Sequence, residues 1–547
     1  MKQRLALPEE GARSALVDGI CGALFEADAV MLDLADGQRR SVSAARLYND
    51  AAERFDPTSG QRLFPAVSEE HQIACVRATE NGLCVVFDDQ AERTWTFSAL
   101  ARCAPPPTVA KTNPADGPLR LTHIAADAFL RDEHACRKLL AAVARQGACL
   151  LKGYAGGLGG LEAIVARFGH IRQTNYGRLF DVRVEEGAAN LAFTDLGLAP
   201  HTDNPYREPP PGIQLLHCLT AATTGGQTLL VDGFAAALRL RAANPAAFEA
   251  LATTPVRFAW ADADVALEAW VPVIERDARG DLVGLRVNDR AQTGDDNPAW
   301  RDAYRAFTAL LNDPSAHCQF TLEPGDVLIF DNRRMLHGRT AYAGGARWLQ
   351  GCYADRDGLL GRLRAMELRE AQARAESALA ELAGPAGDET YGEGLSLRAH
   401  CLQAAALASA AGLSPALIAA ALLHDIGWAL GGLHEEVGAA FVEDRFGPEL
   451  ARPIRLHVKA KRYLVATDPD YRAQLSLASV QTLALQGGPM PIEEARRFED
   501  EPGFADAVAL RRIDDKAKNP LMPTVELEAY RTLLIERALV ALRTETL

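Results

Sequence analysis

The stretch ALLHDIGWAL, residues 421–430, decides how the last third of this 547-residue chain is interpreted. It sets His424 and Asp425 side by side in an otherwise apolar run, which Ser414 and Pro415 open in the manner of a helix start. An imidazole next to a carboxylate in such a run is typical of a metal site. The pair therefore predicts a metal-dependent enzyme, whose chemistry depends on the ligands around it.

The composition excludes several classes of protein. The net charge is -14, and no stripe of Lys and Arg suits a nucleic acid. No run of about 18 apolar residues predicts a membrane helix, and the first residues lack a secretory core, so we expect a soluble cytoplasmic protein. The ten cysteines include no C-x-x-C and indicate reduced thiols.

The pattern along the chain predicts three domains. Short alternating runs in residues 1–105 indicate a small β-rich domain, followed by a Pro-rich linker over 103–118. Residues 119–370 mix helical patches with strand runs such as GDVLIFDN. An Ala/Glu/Arg-rich stretch after residue 365 predicts a connecting helix that a Gly-Pro pair ends. Residues 386–547 are helical in pattern almost throughout.

The middle domain holds two histidines and a carboxylate in a pattern that suits one metal ion. His201-x-Asp203 is followed by His337 and, ten residues later, by Arg347. Two imidazoles and one carboxylate leave three open positions, as non-haem Fe(II), a co-substrate and O2 require. Arg347 could bind the far carboxylate of 2-oxoglutarate with two hydrogen bonds. An H-x-D pair alone is common, so this prediction depends on the combination.

Six segments resemble the γ-butyrobetaine hydroxylase branch of the 2-oxoglutarate oxygenases. They are NYGRLFDVR, NLAFTDLGLAPHTD, PPGIQLLHC, GGQTLLVDGF, PGDVLIFDNRRMLHGR and RWLQGCYAD. The similarity covers nearly all of residues 1–365 and implies a double-stranded β-helix (jelly-roll) core. It implies His201, Asp203 and His337 as Fe(II) ligands. It also implies Arg347 and Thr228 as contacts of 2-oxoglutarate.

The same resemblance implies a pocket for a trimethylammonium group, in which aromatic faces each contribute about 0.5–2 kcal/mol. The matching positions are the aromatic residues Tyr176, Phe180, Phe193 and Tyr353, with Asn190 expected beside them. Ordinary core packing of the aromatic residues is the alternative. Asn288 and Arg290 fall where the family contacts the acidic end of its substrate, and Arg290 would suit a carboxylate or phosphonate.

The N-terminal domain departs from this family. Relatives usually carry a cysteine-rich zinc knot where this chain has LYNDAAERFDPTSGQRLF, and the histidine expected in the next hairpin lies near Ala91. We therefore expect the zinc site to be lost. The domain would serve as an oligomerisation or lid element that packing alone holds together.

The helical domain offers enough ligands for two metal ions if one carboxylate bridges them. The candidates are His400, His424, Asp425, His434, His457 and Asp514. Ser396 can cap the helix that carries the first of them. Hydrolases of the HD superfamily also use two metals, to activate water against phosphate esters. The ligand count therefore leaves the chemistry open.

Five further segments resemble the mixed-valent di-iron HD oxygenases that cleave the C–P bond of 1-hydroxyphosphonates. They are GEGLSLRAHCLQAAALA, HDIG, HVKAKRYL, LASVQTLALQGGP and RRIDDKAK, within about residues 389–525. The resemblance implies a di-iron Fe(II)/Fe(III) cofactor. One iron would be bound by His400, His424, Asp425 and Asp514, and the other by Asp425, His434 and His457. Lys461, Ser479 and Arg511 match phosphonate contacts, although solvated surface charge would also explain the two cations.

Two positions differ from the relatives that act on aminoethylphosphonate. Where they have a Tyr three residues before Glu393, this chain has Thr390, with Tyr391 next. Where they have a His three residues after Asp425, it has Trp428. An aromatic residue in place of this polar histidine favours a methylated substrate amine, although Trp428 would serve equally as a packing residue. Glu393 and Trp428 are thus candidate substrate contacts.

Together the resemblances predict a bifunctional enzyme of organophosphonate catabolism. The first half would hydroxylate C1 of 2-trimethylaminoethylphosphonate, using Fe(II), 2-oxoglutarate and O2. The second would use O2 to release phosphate and glycine betaine. Alternatives are the same chemistry on 2-aminoethylphosphonate or its partly methylated analogues, a γ-butyrobetaine-type hydroxylase fused to an HD phosphohydrolase, and a non-enzymatic sensor. The expected partners are the small-molecule substrate and a second copy in a homodimer, without nucleic acid or membrane.

Overall fold

The computed structural model describes residues 3–4, 20–26, 28–34, 39–56, 61–66, 71–79, 82–96, 99–100, 119–184, 194–343, 347–391, 394–431, 433–475 and 477–545. The chain divides into two compact units. One comprises residues 1–107 and 368–546, and the other comprises residues 108–367.

The described part of the N-terminal segment contains two antiparallel sheets around a small core of its own. The four-stranded sheet comprises Gln3–Arg4, Ile20–Glu26, Ala29–Leu34 and Arg39–Ser43, in that order. The three-stranded sheet comprises Ile73–Thr79, Gly82–Phe87 and Glu92–Thr96. Helical turns at Ala44–Asn49 and Ala52–Arg54 lie between them in sequence. Leu32, Leu47 and Phe87 are fully buried in this core.

The middle unit contains a seven-stranded and a four-stranded sheet. The larger follows the order Ile171–Arg172, Trp348–Ala354, Ile213–Thr220, Val327–Asp331, Ala148–Lys152 and Thr122–Ala125, with Phe180–Val182 also paired to Trp348–Ala354. The smaller follows Leu198–His201, Met335–Arg339, Thr228–Asp232 and His317–Phe320. Leu216 and Phe330 of the larger sheet share a core with Leu230 and Met335 of the smaller. The sheets therefore pack face to face around this core, and the jelly-roll connectivity stays a prediction.

Short hairpins and helices surround these sheets. The paired strands are Thr224–Gly225 with Tyr342–Ala343, Val256–Ala261 with Ala266–Val271, and Ile274–Arg276 with Leu282–Leu285. The helices are Ala126–Arg131, Glu133–Gln146, Leu161–Val165, Gly233–Ala243, Pro245–Thr253, Pro298–Leu311 and the turn Pro314–Ala316. Asp132 caps Glu133–Gln146 by accepting from the Ala135 amide at 2.8 Å. Gly147, at a φ of 92°, ends it.

The predicted connecting helix is confirmed, and it begins earlier than expected. It spans Arg356–Ala383, starts directly after the strand Trp348–Ala354, and is followed by Gly384 and Pro385. The boundary between the two compact units falls inside it, after Glu367.

The C-terminal region is helical, as predicted. Its helices are Pro385–Asp388, Leu397–Ala410, Pro415–Leu423, Gly427–Leu430, His434–Phe446, Pro448–Thr467, Pro469–Gln474, Leu477–Leu485, Ile492–Glu499, Phe504–Asp514 and Arg531–Thr544, with a turn at Leu527–Tyr530 and a hairpin of Thr390–Tyr391 with Leu395–Ser396. Ser396 and Ser414 cap their helices as expected, accepting from the amides of Ala399 and Leu417. In the described ranges no single helix is long and apolar enough to cross a bilayer, although the bent pair Pro415–Leu430 and His434–Phe446 meets that criterion jointly.

His217 gives the middle unit a pH-dependent stability that can be measured. It is buried in the strand Ile213–Thr220, and burial lowers its pKa below 6.5. The unfolded chain therefore binds the proton first as the pH falls, so this stability is present above pH 6.5 and lost below it. We expect His217→Gln to reduce the pH dependence of the unfolding free energy below pH 6.5 by up to about 1.4 kcal/mol per pH unit.

The control for this prediction is His170→Gln, because His170 is exposed. Urea unfolding of the three proteins at several pH values between about 5 and 8, on either side of the ordinary histidine pKa of about 6.5, checks the prediction. Equal slopes for wild type and His217→Gln would contradict it.

Candidate metal centres

The strands of the smaller sheet bring the predicted facial triad together. His201 ends Leu198–His201 and lies opposite His337 in the antiparallel register. Asp203 follows two residues later, so its Oδ1 is 3.4 Å from Nε2 of His201 and its Oδ2 is 3.8 Å from Nε2 of His337. One ligand atom from each of the three residues lies within 4.8 Å of the others. This spacing suits a single metal ion.

The electrostatics of this triad also suit a divalent metal. Nδ1 of His201 lies 2.9 Å from the carbonyl oxygen of Ala199, which leaves Nε2 for a ligand bond. Burial, and then repulsion from His201, lowers the pKa of His337 to about 3. Burial alone would raise the pKa of Asp203, but His337, His201 and Tyr353 outweigh it and hold that pKa well below its ordinary range. A neutral imidazole and an ionised carboxylate are what a metal requires.

Two hydrogen bonds to Asp203 were not anticipated from the sequence. Gln214 Nε2 and the Tyr353 hydroxyl each donate to its Oδ2 at 2.8 Å. Gln214 is the polar exception in the otherwise apolar, buried start of the strand Ile213–Thr220. This polar residue in an apolar run was the sequence signal for such a contact, because a buried amide needs a hydrogen-bond partner.

A cavity of about 790 Å³ opens beside the triad, and its wall is rich in aromatic residues. The predicted Tyr176, Phe180 and Tyr353 line it, while Phe193 and Asn190 lie outside the described residues. Tyr206 and Trp260, which sequence reasoning missed, complete the wall and stack on each other at 5.9 Å. The hairpin that carries Trp260 gives no sequence signal of its nearness to the triad.

The polar residues predicted for this domain also line the cavity. Arg347 is buried, and its Nη1 has no hydrogen-bond partner within the described chain. Burial lowers its pKa, so an incoming carboxylate would stabilise its charge. Thr228 lines the same cavity. Asn288 donates to the Thr202 carbonyl at 3.1 Å, and its Oδ1 accepts from the Arg290 amide at 3.2 Å and from the Arg290 Nε at 3.4 Å, which holds the exposed Arg290 side chain beside the cavity.

The helical region brings its six predicted ligands into two adjoining groups. The groups are His400, His424 and Asp514, and Asp425, His434 and His457. Asp425 faces both groups. Its Oδ2 is 3.5 Å from Nε2 of His400 and of His424, and its Oδ1 is 3.6 Å from Nε2 of His434 and 3.8 Å from Nε2 of His457. This is the arrangement expected of a carboxylate that bridges two metal ions.

The carboxylate of Asp425 is the clearest indication that this centre could hold metal ions. Both its oxygens are buried, and neither has a hydrogen-bond partner among the residues described. Burial would raise its pKa, yet the nearby histidines, His424 first, lower it below its ordinary value. An ionised carboxylate without donors is costly in a protein interior unless cations compensate it.

The histidine rings of this centre are oriented so that one nitrogen of each could bind a metal ion. Nδ1 of His400, His424 and His457 lies within 2.8 Å of the carbonyl oxygens of Ala517, Ala421 and Ile454, respectively. His434 differs, because its Nδ1 lies 3.1 Å from the Glu435 carboxylate. All four Nε2 atoms therefore point to the shared centre, and Glu435 is a further contact that the sequence did not reveal.

A cavity of about 350 Å³ adjoins this centre and has a cationic end. The predicted Lys461, Ser479 and Arg511 line it, and Lys518 adds a cation that was not predicted. Lys461 donates to Thr482 at 2.6 Å, and burial, then Arg511, lowers its pKa to about 8. Such a set suits a phosphonate or phosphate group.

Two further positions singled out in the sequence also line this cavity. They are Thr390 and Trp428, and Trp428 stacks on His434 with 4.7 Å between ring centroids. Glu393 lies outside the described residues. A fourth group, His71 with Asp88 and Asp89, is in the N-terminal segment and is largely exposed.

Comparison with known proteins identifies two domain types. Residues 116–353 match the family described as "Taurine catabolism dioxygenase TauD, TfdA family", and residues 397–494 match "HD domain". Gamma-butyrobetaine dioxygenase of Pseudomonas sp. (strain AK-1) is 40% identical over 43% of this chain and 63% of its own length. The human protein of that name is 36% identical over 44% and 66%. The match thus spans less than two thirds of each relative.

Among solved structures, asparagine oxygenase in complex with Fe(II), 2S,3S-3-hydroxyasparagine and succinate is 24% identical. It covers 46% of this chain and 85% of its own, with a TM-score of 0.35. The two family matches confirm the predicted domain types. The chain carries a dioxygenase domain of the Fe(II)/2-oxoglutarate type and an HD domain. The HD match is compatible with more than one chemistry.

Metal content provides a direct test of the two centres. We expect the iron-loaded wild type to retain about three metal ions per chain, one in the triad and two in the helical centre. His337→Ala should lose the first, and Asp425→Ala should lose both of the others because one carboxylate serves both. Elemental analysis after desalting measures this. His71→Ala is the control and should retain all of them, whereas full retention by Asp425→Ala would contradict the bridge.

Proposed function

We propose that this chain is a bifunctional enzyme that degrades 2-trimethylaminoethylphosphonate by two successive oxidations. The first would convert the substrate, 2-oxoglutarate and O2 into the C1 alcohol, succinate and CO2. The second would convert this alcohol and O2 into glycine betaine, phosphate and a proton. The observation that carries the proposal is the Asp425 carboxylate, buried without donors between two histidine groups and next to a cationic cavity.

In the dioxygenase domain, the residues would bind and orient both reactants. Fe(II) with 2-oxoglutarate supplies the oxidising power for hydroxylating an unactivated carbon when bound. Arg347 would bind the far carboxylate of the oxo acid, since its buried guanidinium lacks a partner for Nη1 in the described ranges. The aromatic wall would hold the trimethylammonium group, which cannot donate hydrogen bonds. Arg290 would attract the phosphonate.

In the HD domain, the residues would fix a dianion against the metal centre. A di-iron Fe(II)/Fe(III) centre with O2 supplies the oxidation that breaks the C–P bond when bound. Lys461, Arg511 and Ser479 would bind the phosphonate oxygens, since all three line the cavity. Arg511 is itself held by Asp514 and Asp515, which raise its pKa despite its burial, so it stays a fixed cation. Trp428 would lie near the trimethylammonium end.

A coupled assay tests the whole scheme. With Fe(II), 2-oxoglutarate and O2, we expect phosphate and succinate to form in equal amounts from 2-trimethylaminoethylphosphonate. His337→Ala should still release phosphate from the 1-hydroxy compound, because its helical centre is intact. His457→Ala should accumulate that compound. Ion chromatography for phosphate and mass spectrometry for the organic products measure each step.

The outcomes separate this proposal from its rivals. Phosphate release that continues under argon would favour an HD phosphohydrolase and would contradict the proposed O2-dependent cleavage of the C–P bond. Faster turnover of 2-aminoethylphosphonate than of its trimethyl analogue would indicate that the same chemistry acts on the free amine as the preferred substrate.

Trp260 provides a test of the ammonium pocket. We expect Trp260→Leu to raise KM for the trimethyl substrate by about 2- to 30-fold, which corresponds to the loss of one aromatic face. KM for 2-aminoethylphosphonate should change less, because a primary ammonium depends on hydrogen bonds. Trp270→Leu is the matched control, since Trp270 lies on the facing strand of the same hairpin and is 62% exposed. Equal effects of Trp260→Leu on both substrates would contradict the assignment.

A further inference from the structure

Tyr353 takes part in two features of the dioxygenase site at once. Its ring lines the aromatic wall and lies 5.0 Å from the ring of Phe180. Its hydroxyl donates to Oδ2 of Asp203 at 2.8 Å. The whole side chain is only 3% exposed. The sequence predicted the first feature alone.

We propose that Tyr353 is a positioning residue, which acts with Gln214 to fix the metal-binding carboxylate of Asp203 while its ring serves the ammonium pocket. The two residues are direct partners in the antiparallel register of Ile213–Thr220 and Trp348–Ala354. Both reach the same oxygen of Asp203. The inference rests on the proposed function for the metal and for the ammonium group.

The physical reason is the use of the two carboxylate oxygens. Oδ2 receives two hydrogen bonds and is therefore largely occupied. Oδ1 lies 3.4 Å from Nε2 of His201, closer than the 3.8 Å between Oδ2 and Nε2 of His337. Rotation of the carboxylate would break both hydrogen bonds, so these donors favour ligation through one chosen oxygen. Such outer contacts of metal ligands typically contribute about 10- to 100-fold in metal affinity.

The phenol is suited to this task because its hydroxyl donates to Oδ2 of Asp203 at 2.8 Å from a ring that packing holds in place. A lysine or histidine in this place would change its charge or compete for the metal. Phenylalanine would keep the aromatic surface and lose only the donor.

Tyr353→Phe, with Tyr176→Phe as the matched control, tests the assignment. The Tyr176 hydroxyl approaches that of Tyr206 at 3.4 Å instead of Asp203, so its loss removes a phenol from the same wall without touching the carboxylate. Fe(II) is titrated into each full-length protein anaerobically with saturating 2-oxoglutarate. The charge-transfer absorption of Fe(II) with the oxo acid reports this site alone, because the oxo acid is expected only there.

We expect the Fe(II) dissociation constant of Tyr353→Phe to rise by about 10- to 100-fold. That of Tyr176→Phe should stay within about twofold of wild type. At saturating Fe(II), the same absorption measures binding of 2-trimethylaminoethylphosphonate, and Tyr353→Phe should bind it as wild type does because the ring remains. Gln214→Met, which removes the other donor, should weaken Fe(II) in the same direction.

Three results would have different meanings. Wild-type Fe(II) affinity in Tyr353→Phe would overturn the inference and leave the proposed function standing. Absence of the absorption band in wild type would overturn the proposed function itself. Equal weakening by both Tyr→Phe variants, with equally lowered unfolding temperatures, would reduce Tyr353 to a packing residue and also overturn the inference.

Discussion

A carboxylate that is withdrawn from most or all of its solvent and stays ionised needs compensating donors or cations, and this constraint shapes both centres. Asp203 and Asp425 each lie among imidazoles, with pKa values held below their ordinary range. At Asp203 the protein donates two hydrogen bonds to one oxygen. At Asp425, none of the described residues donates a hydrogen bond to either carboxylate oxygen. The first carboxylate thus suits one metal ion, and the second would suit a bridge between two.

The two folds meet this constraint by different means. In the middle unit, strand pairing places His201 opposite His337 and Gln214 opposite Tyr353, so ligands and their supports come from cross-strand neighbours. In the helical unit, an apolar helix ends at Leu423, and the next two residues turn inward with no exposure to solvent. Its Ala-rich core permits the close helix packing that brings the other histidines near.

The clustering of the candidate ligands could be predicted from the sequence, whereas much of their surroundings could not. His424 and Asp425 are adjacent in an apolar run, and His201 and Asp203 are two residues apart, so each pair is visible locally. Gln214, Trp260, Glu435 and Lys518 become neighbours of these centres only through tertiary packing. Tyr353 was predicted for its ring and not for its hydroxyl, because a hydrogen bond across strands depends on register. Phe193 and Glu393, which lie outside the described residues, stay predictions.

The chemistry of the substrate explains why two such centres would be useful in one chain. A phosphonate without a hydroxyl on C1 can offer a metal centre only its phosphonate oxygens. A hydroxyl on that carbon adds a second ligand atom beside them, so the substrate could chelate the centre. The first centre would therefore need to recognise the ends of the molecule and leave its middle open, for which an aromatic wall and Arg290 are suited. The second would need cations for the phosphonate, which Lys461 and Arg511 could supply. Covalent linkage would keep the two proposed activities in equal amounts, so the hydroxylated intermediate would have a matching centre on the chain that made it.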